Sequence, residues 1–106
     1  MNRDFLEMIK PRRSTRSFKP DSIPEDLLDA VLEAGTYAPT GMNRQSPVII
    51  VVSDKKYREK LSKLNAAIMG VDKDPYYGAP TVVLVLADPS ANTFVEDGSC
   101  VLENLM

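Results

Sequence analysis

Histidine is absent from this chain of 106 residues, and cysteine occurs once, at Cys100. Without histidine the protein can have neither a histidine general base nor a Ser-His triad, and it lacks the ligands of an ordinary zinc site. A lone cysteine excludes an intrachain disulfide and a cysteine-based metal cluster, and it fits a reducing compartment. We therefore expect a cytoplasmic protein without a metal site, whose chemistry depends on carboxylates, lysine, tyrosine or a bound cofactor.

Long apolar runs are missing as well. The chain contains no run of about 18 apolar residues and no signal-like segment near its first residue, so no membrane span is predicted. The composition, with 43% hydrophobic and 26% charged residues, is that of a globular protein. Its length fits one domain, residues 1–106.

The chain also has no overall excess of positive charge. Its 13 basic and 15 acidic residues give a net charge of −2, which argues against a nucleic-acid-binding surface. The distribution is uneven, because six basic and only two acidic residues fall within residues 1–19. We expect this local positive charge to attract a small anionic ligand rather than a long polyanion.

Three of those basic residues are Arg12, Arg13 and Arg16, which follow the helix-ending Pro11. In an extended backbone Arg12, Ser14 and Arg16 would project to one side, and in a helix Arg12 and Arg16 would still share a face. Two forked cationic donors with a hydroxyl between them suit a dianionic phosphate. The alternative is that these arginines are solvated and interact only with the C-terminal dipole of the preceding helix.

Hydrophobic periodicity predicts four helices and two strands. The first helix runs from Arg3 to Lys10 with Asn2 as its N-cap, and the second runs from a capping box, Ser22–Glu25, to Gly35. Asp54 caps a third helix that ends at Gly70, and a second capping box, Thr93–Glu96, opens a helix that reaches Met106. The strands, Val48–Val52 and Thr81–Ala87, are apolar throughout, and the first of them is predicted to be buried on both faces. Their spacing would permit a parallel crossover, so the pattern leaves the strand direction open.

Two features of the last helix suggest further contacts. Gly98 lowers helix stability by about 1 kcal/mol relative to alanine, so we expect another backbone or a ligand to approach closely there. The apolar stripe is still in mid-pattern at Met106, without a glycine cap or a polar ending. We expect a truncated chain, or a helix completed by a partner.

Four segments together resemble the FMN-dependent nitroreductase family, over essentially the whole chain. They are the RRSTRSF stretch at residues 12–18, the APTGMNRQSP connection at residues 38–47, Gly78-Ala79-Pro80 before the second strand, and Asp97-Gly98 followed by Glu103-Asn104-Leu105. The resemblance implies an α+β fold with helices around a mainly antiparallel sheet. That fold would be incomplete at the C-terminus here, because family members continue past this point with further strands and another basic residue at the phosphate.

The resemblance also implies an FMN site shared by two subunits of an obligate homodimer. One subunit would contact the phosphate and ribityl tail through Arg12, Arg13, Ser14 and Arg16. The other would line the flavin through a loop that contains Pro39, Thr40, Gly41, Asn43 and Gln45. A glycine allows close approach to a flat ring, and the side-chain amides can donate and accept hydrogen bonds. Taken alone, the loop also reads as a simple proline-glycine turn.

The activity that the resemblance implies needs no histidine. NAD(P)H would deliver hydride to the flavin, which would reduce a nitroaromatic, a quinone or a similar small acceptor in a ping-pong cycle. No catalytic side chain is predicted; Asp97 and Cys100 are candidates only by position, and structural roles are favoured for both. Two alternatives remain open: a non-catalytic module that binds flavin or another phosphate-bearing ligand, and an inactive dimerising fragment.

Overall fold

The computed structural model describes residues 3–106 and contains four α-helices and two β-strands within that range. The elements follow in the order α1 (Asp4–Ile9), α2 (Glu25–Thr36), β1 (Val48–Val52), α3 (Lys55–Met69), β2 (Val82–Leu86) and α4 (Phe94–Leu105). A short 3-10 turn, Gly41–Asn43, lies between α2 and β1. The predicted succession of helices and strands is confirmed, with shifts of a few residues at the ends.

The helix ends show which local signals were correct. Asp54 caps α3 by accepting hydrogen bonds from the backbone N–H groups of Lys56 at 2.9 Å and Tyr57 at 3.4 Å. Gly70 ends α3 in the left-handed conformation, at φ 69°. The N-cap predicted at Asn2 lies outside the described residues.

Both predicted capping boxes are wrong. Pro24, in an extended conformation, occupies the N-cap of α2, so Glu25 becomes the first helical residue and Ser22 lies outside the helix. Thr93 does occupy the N-cap of α4, but it makes no side-chain bond to the helix backbone. Its hydroxyl instead donates to the carboxylate of Asp97, one turn further on.

The two strands pair antiparallel, which settles the direction that the sequence pattern left open. Their register aligns Val48 with Leu86 at one end and Val52 with Val82 at the other. Together with the helices around it, this sheet gives the α+β fold that the family resemblance implied.

The prediction that β1 is buried on both faces is wrong. Ile49 faces α2, where its Cδ1 atom would lie 3.0 Å from a Cβ added to Gly35. Its neighbours on the opposite face of β1, Val48 and Ile50, are 53% and 39% exposed. Alternate residues of β1 therefore remain accessible among residues 3–106, although Val82, which pairs with Val52 on the same face of the sheet, is buried.

Helix α3 buries polar side chains and exposes apolar ones. Its buried residues are Arg58 and Ser62, whereas Tyr57, Leu64 and Ile68 on its apolar stripe are exposed. Periodicity therefore predicted the helix correctly, but the apolar face does not point to the interior of this chain.

The described residues enclose a small core and expose a large surface. Their buried apolar residues are Val82, Ala91 and Val101, and the accessible surface is 8366 Å². A monomeric protein of this mass would expose about 5,900 Å². The radius of gyration, 15.4 Å, likewise exceeds the value of about 13 Å for a compact domain of this length. Much apolar surface is therefore available for contact with further polypeptide.

The helices of the structure differ from what a membrane-spanning segment requires. None of those formed within residues 3–106 combines the length and the apolar character that a membrane crossing requires.

Candidate functional site

The arginine-rich segment forms one wall of an open groove. Residues 12–19 are neither helix nor strand, so the helical alternative for this segment is wrong. The groove measures about 620 Å³ and is lined by Pro11, Arg12, Arg13, Ser14, Thr15, Phe18 and Met106. Since Arg12, Arg13, Ser14 and Thr15 all line it, the alternation of an extended strand does not separate them. Met106 brings the end of α4 to the same groove.

The three arginines of this segment differ in their partners. Arg13 donates one guanidinium nitrogen to the carbonyl oxygens of Lys10 and Arg12, both at 2.9 Å. It therefore satisfies carbonyls at the end of α1, which is the structural role that the sequence offered as an alternative. The guanidiniums of Arg12 and Arg16 make no hydrogen bond or ion pair with any residue in 3–106. Arg16 is exposed and does not line the groove, so its convergence with Arg12 stays a prediction.

The loop of residues 40–45 carries the predicted flavin-lining amides. Met42, Asn43 and Gln45 adopt left-handed backbone conformations, with φ of 54°, 55° and 53°. Such conformations cost about 1 kcal/mol or more each in residues other than glycine, and they persist where surrounding contacts enforce them. Here Gln45 donates its backbone N–H to Thr40 Oγ1 at 3.0 Å, and its side-chain Nε2 to Asn43 Oδ1 at 2.8 Å.

These bonds leave polar groups of the loop free to bind a ligand. Asn43 keeps its side-chain N–H₂ and Gln45 keeps its side-chain carbonyl, and both residues are exposed. Thr40 and Gln45 also line a pocket of about 330 Å³ together with Gly35, Thr36, Ala38, Pro47, Ile49 and Val101. Pro39, the first predicted residue of this set, is exposed at the start of the loop.

A buried carboxylate attaches this loop to α4. Asp97 is only 3% exposed, and its two oxygens accept hydrogen bonds from the backbone N–H of Gly41 at 2.9 Å and from the Thr93 hydroxyl at 3.0 Å. A Cβ on Gly41 would overlap Thr93 Oγ1 and lie 3.0 Å from Thr93 Cγ2. The structure thus supplies a reason for glycine at position 41 that the sequence did not reveal, namely its close packing against α4.

Gly98 and Cys100 are the two other residues of α4 that the sequence singled out, and the structure gives neither a role as specific as that of Asp97. A Cβ on Gly98 would lie 3.5 Å from the Cβ of Ala87, an ordinary van der Waals distance, so no close backbone approach requires this glycine. Cys100 is a free thiol of intermediate exposure.

Sequence reasoning missed a polar cluster between α3 and β2. Arg58 is 6% exposed and donates to Asp74 Oδ2 at 2.5 Å and to the carbonyl of Ala79 at 2.8 Å. Asp74 also accepts from Ser62 Oγ at 2.8 Å and from the backbone N–H groups of Tyr76 and Gly78. Burial alone would raise the pKa of Asp74, but these hydrogen bonds outweigh it and hold the pKa well below its usual range.

The cluster also accounts for the aromatic residues before β2. The Tyr76 ring lies 5.6 Å from the Arg58 guanidinium carbon and packs against it, whereas Tyr77 is 41% exposed. Burial of Arg58 and Ser62 depends on contacts with residues 12 to 21 positions away in sequence, which local pattern does not show.

Taken together, these elements define an α+β protein with a cationic groove and an amide-bearing loop, whose pockets share no lining residue. A model of the nitroreductase family matches residues 9–102. The chain belongs to the nitroreductase family.

Solved structures share this fold closely. A nitroreductase with bound FMN from Bacteroides fragilis superposes with a TM-score of 0.84 at 34% identity, covering 94% of this chain and 60% of that one. A nitroreductase with bound FMN from Desulfitobacterium hafniense gives a TM-score of 0.86 at 29% identity, covering 99% and 63%.

Among curated proteins, one from Methanothermobacter thermautotrophicus carries a provisional NADH dehydrogenase/NAD(P)H nitroreductase name. It is 31% identical over 107 residues, which cover 97% of this chain and 53% of the relative. The chain therefore spans about half the length of this relative.

Proposed function

We propose that this protein is an FMN-dependent oxidoreductase of the cytoplasm. It transfers hydride from NAD(P)H through the flavin to a nitroaromatic, a quinone or a similar small acceptor, in a ping-pong cycle. The observation that carries the proposal is the pair of free guanidiniums, Arg12 and Arg16, in a segment beside an open groove in a chain of this family. Unpaired cationic forks of this kind match the dianionic phosphate of FMN.

The chemistry of the available donors and acceptors supports FMN. Arg12, Arg16 and the unused nitrogens of Arg13 would hold the phosphate, with the Ser14 hydroxyl beside it. The free N–H₂ of Asn43 and the free carbonyl of Gln45 would serve ribityl hydroxyls or ring heteroatoms, near Pro39, Thr40 and Gly41. Ser46 adds a buried hydroxyl without a partner among residues 3–106, which is a polar group that the fold leaves unsatisfied.

A homodimer explains how both sets could contact one flavin. The groove beside Arg12 and the pocket beside Gln45 share no lining residue. We propose that the arginines of one protomer and the amides of its partner meet across the interface. The large exposed apolar surface of the single chain supports such an association.

When bound, FMN supplies the hydride transfer. The residues of this chain bind the phosphate, orient the ring and keep its reactive face against the acceptor. No acid or base from the chain is needed in these tasks, which agrees with the absence of histidine.

The absorbance spectrum of the purified protein tests this proposal. We expect a flavin band that bleaches when NAD(P)H is added under anaerobic conditions and returns on addition of a quinone. A flavin band that does not bleach would instead indicate a non-catalytic flavin-binding module. If the 106-residue chain neither retains nor takes up FMN, the proposal is wrong for this chain. An inactive dimerising fragment then becomes the better interpretation.

A further inference from the structure

The loop of residues 40–45 has one buried attachment to the rest of the chain in the part that the structure describes. Met42 is 87% exposed, and Asn43, Arg44 and Gln45 are also exposed, so packing contributes little to the position of the loop tip. The bonds of Gln45 to Thr40 and Asn43 hold the loop to itself only. The hydrogen bond from Gly41 N–H to Asp97 Oδ1 crosses 56 positions of sequence and joins it to α4.

The carboxylate that accepts this bond is itself fixed in place. Asp97 lies in the first turn of α4, where its backbone N–H bonds to the Thr93 carbonyl at 2.8 Å and its Oδ2 accepts from the Thr93 hydroxyl. The partial positive charge of the helix N-terminus favours an acidic side chain there. No cation pairs with Asp97 among residues 3–106. A buried carboxylate is costly unless its oxygens are hydrogen-bonded, so both bonds are needed to keep it in this position.

Steric fit reinforces the attachment from the side of the loop. The Thr93 side chain fills the space where a Cβ on Gly41 would lie. Gly41, Thr93 and Asp97 therefore form one contact, which we name the loop anchor, and the glycine can approach Asp97 only because it has no side chain.

We infer that Asp97 is a positioning residue for the loop of residues 40–45. Through Gly41 it sets the place of the 3-10 turn Gly41–Asn43, and hence the direction in which the Asn43 and Gln45 amides face. The role toward the ligand rests on the proposed function, whereas the role toward the loop does not. Nitrogen-15 NMR and FMN titration of the same protein separate the two.

The decisive comparison is Asp97→Ala against Asp97→Asn. The alanine variant should accelerate hydrogen exchange of the Gly41 amide about tenfold or more, shift the side-chain amide signals of Asn43 and Gln45, and weaken FMN binding about tenfold. Asparagine keeps an acceptor for Gly41 and a polar partner for Thr93, so Asp97→Asn should keep all three properties close to those of the wild type. Glu96→Ala is the matched control, because it removes a neighbouring carboxylate that is exposed.

A second variant reaches the same contact from the loop, in case Asp97→Ala does not fold. Gly41→Ala should shift the same amide signals, because its Cβ would overlap Thr93 Oγ1. Adding Thr93→Ala removes two of the three atoms nearest to that Cβ and should partly reverse the effect.

The outcomes distinguish the inference from the proposed function. Unchanged Gly41 exchange and unchanged amide signals in Asp97→Ala would overturn the inference. Wild-type FMN affinity in a variant whose Gly41 amide is released would overturn the role of Asp97 toward the ligand. A wild-type protein that binds no FMN, but whose Gly41 amide is released by Asp97→Ala, would overturn the proposed function and leave the positioning role intact.

Discussion

At the scale of single residues, the charged side chains fall into two groups: those that bond to other groups of the chain, and those that have no partner among residues 3–106. Arg58 and Asp74 satisfy each other and several backbone groups, and Arg13 caps the end of α1. Arg12 and Arg16 have no such partners among residues 3–106, although they belong to the same cationic segment as Arg13. We therefore expect their removal to affect ligand binding more than folding.

Replacement of both free arginines tests this expectation. Each charge-assisted contact to a phosphate contributes about 1.5–3 kcal/mol, so Arg12→Ala/Arg16→Ala should weaken FMN binding by about a hundredfold or more. The unfolding midpoint should stay unchanged. Arg3→Ala/Lys19→Ala is the matched control, since it removes two positive charges from the same region. Equal losses of affinity in both double variants would show a general charge effect and not a phosphate site.

The carboxylate of Asp74 predicts a pH dependence of stability. Its pKa is lower in the folded than in the unfolded chain, so its contribution is fully present above about pH 4 and is lost as the pH falls through the folded value. Asp74→Asn should lower the free energy of unfolding by about 3 kcal/mol at pH 7, because the buried Arg58 keeps only the half-exposed Glu59, at 3.3 Å, as a counter-charge. It should also flatten the decline of stability below pH 4.

Urea unfolding at a series of pH values measures both effects. Asp72→Asn provides the control, because it removes an exposed carboxylate two residues away. A parallel acid decline in wild type and Asp74→Asn would contradict the role of the Arg58–Asp74 pair.

At the scale of elements, α3 shows that periodicity and burial are separate properties. Hydrophobic periodicity identified the helix, yet Tyr57, Leu64 and Ile68 on its apolar stripe are exposed, and the residues that α3 buries are Arg58 and Ser62. The hydrogen bonds to Asp74 and Ala79 orient the helix, because the buried guanidinium would be costly without them.

In α3, replacing the apolar Ile68 should therefore reduce the free energy of unfolding less than replacing the polar Ser62. Ile68 is 86% exposed, so Ile68→Gln should change the free energy of unfolding by less than about 0.5 kcal/mol. Ser62→Ala should cost about 1 kcal/mol, because it removes a buried hydrogen bond to Asp74. Chemical denaturation of the two variants compares them directly. A larger loss for Ile68→Gln than for Ser62→Ala would mean that the apolar stripe is covered in solution.

At the scale of the whole molecule, the two candidate binding surfaces are the main feature. They share no lining residue, and the chain exposes more surface than a compact monomer of its mass. A flavin held between two protomers would use both surfaces and bury part of the apolar excess.

Complementation between inactive variants tests the shared site. Chains with Arg12→Ala/Arg16→Ala are mixed with chains carrying Asn43→Ala/Gln45→Ala, and the mixture is dissociated and reassembled. If each site combines both surfaces from different protomers, half of the dimers are mixed and hold one intact site, so about a quarter of all sites should bind FMN. Flavin fluorescence quenching counts these sites. No recovery in a reassembled mixture would place both residue sets of a site in one protomer.

The sequence alone determined the properties that depend on nearest neighbours along the chain. Helical and strand periods, the Asp54 cap, the Gly70 end and the clustered arginines are local, and the family segments lie within short windows. Only the tertiary structure decided the strand direction, the exposed face of α3, the failure of both capping boxes, and the contacts of Asp97 and Asp74. The capping boxes failed for local reasons, since Pro24 takes one N-cap and Thr93 bonds to Asp97 four positions on. The other features depend on partners from 12 to 56 positions away, and no local pattern specifies which distant group a side chain will meet.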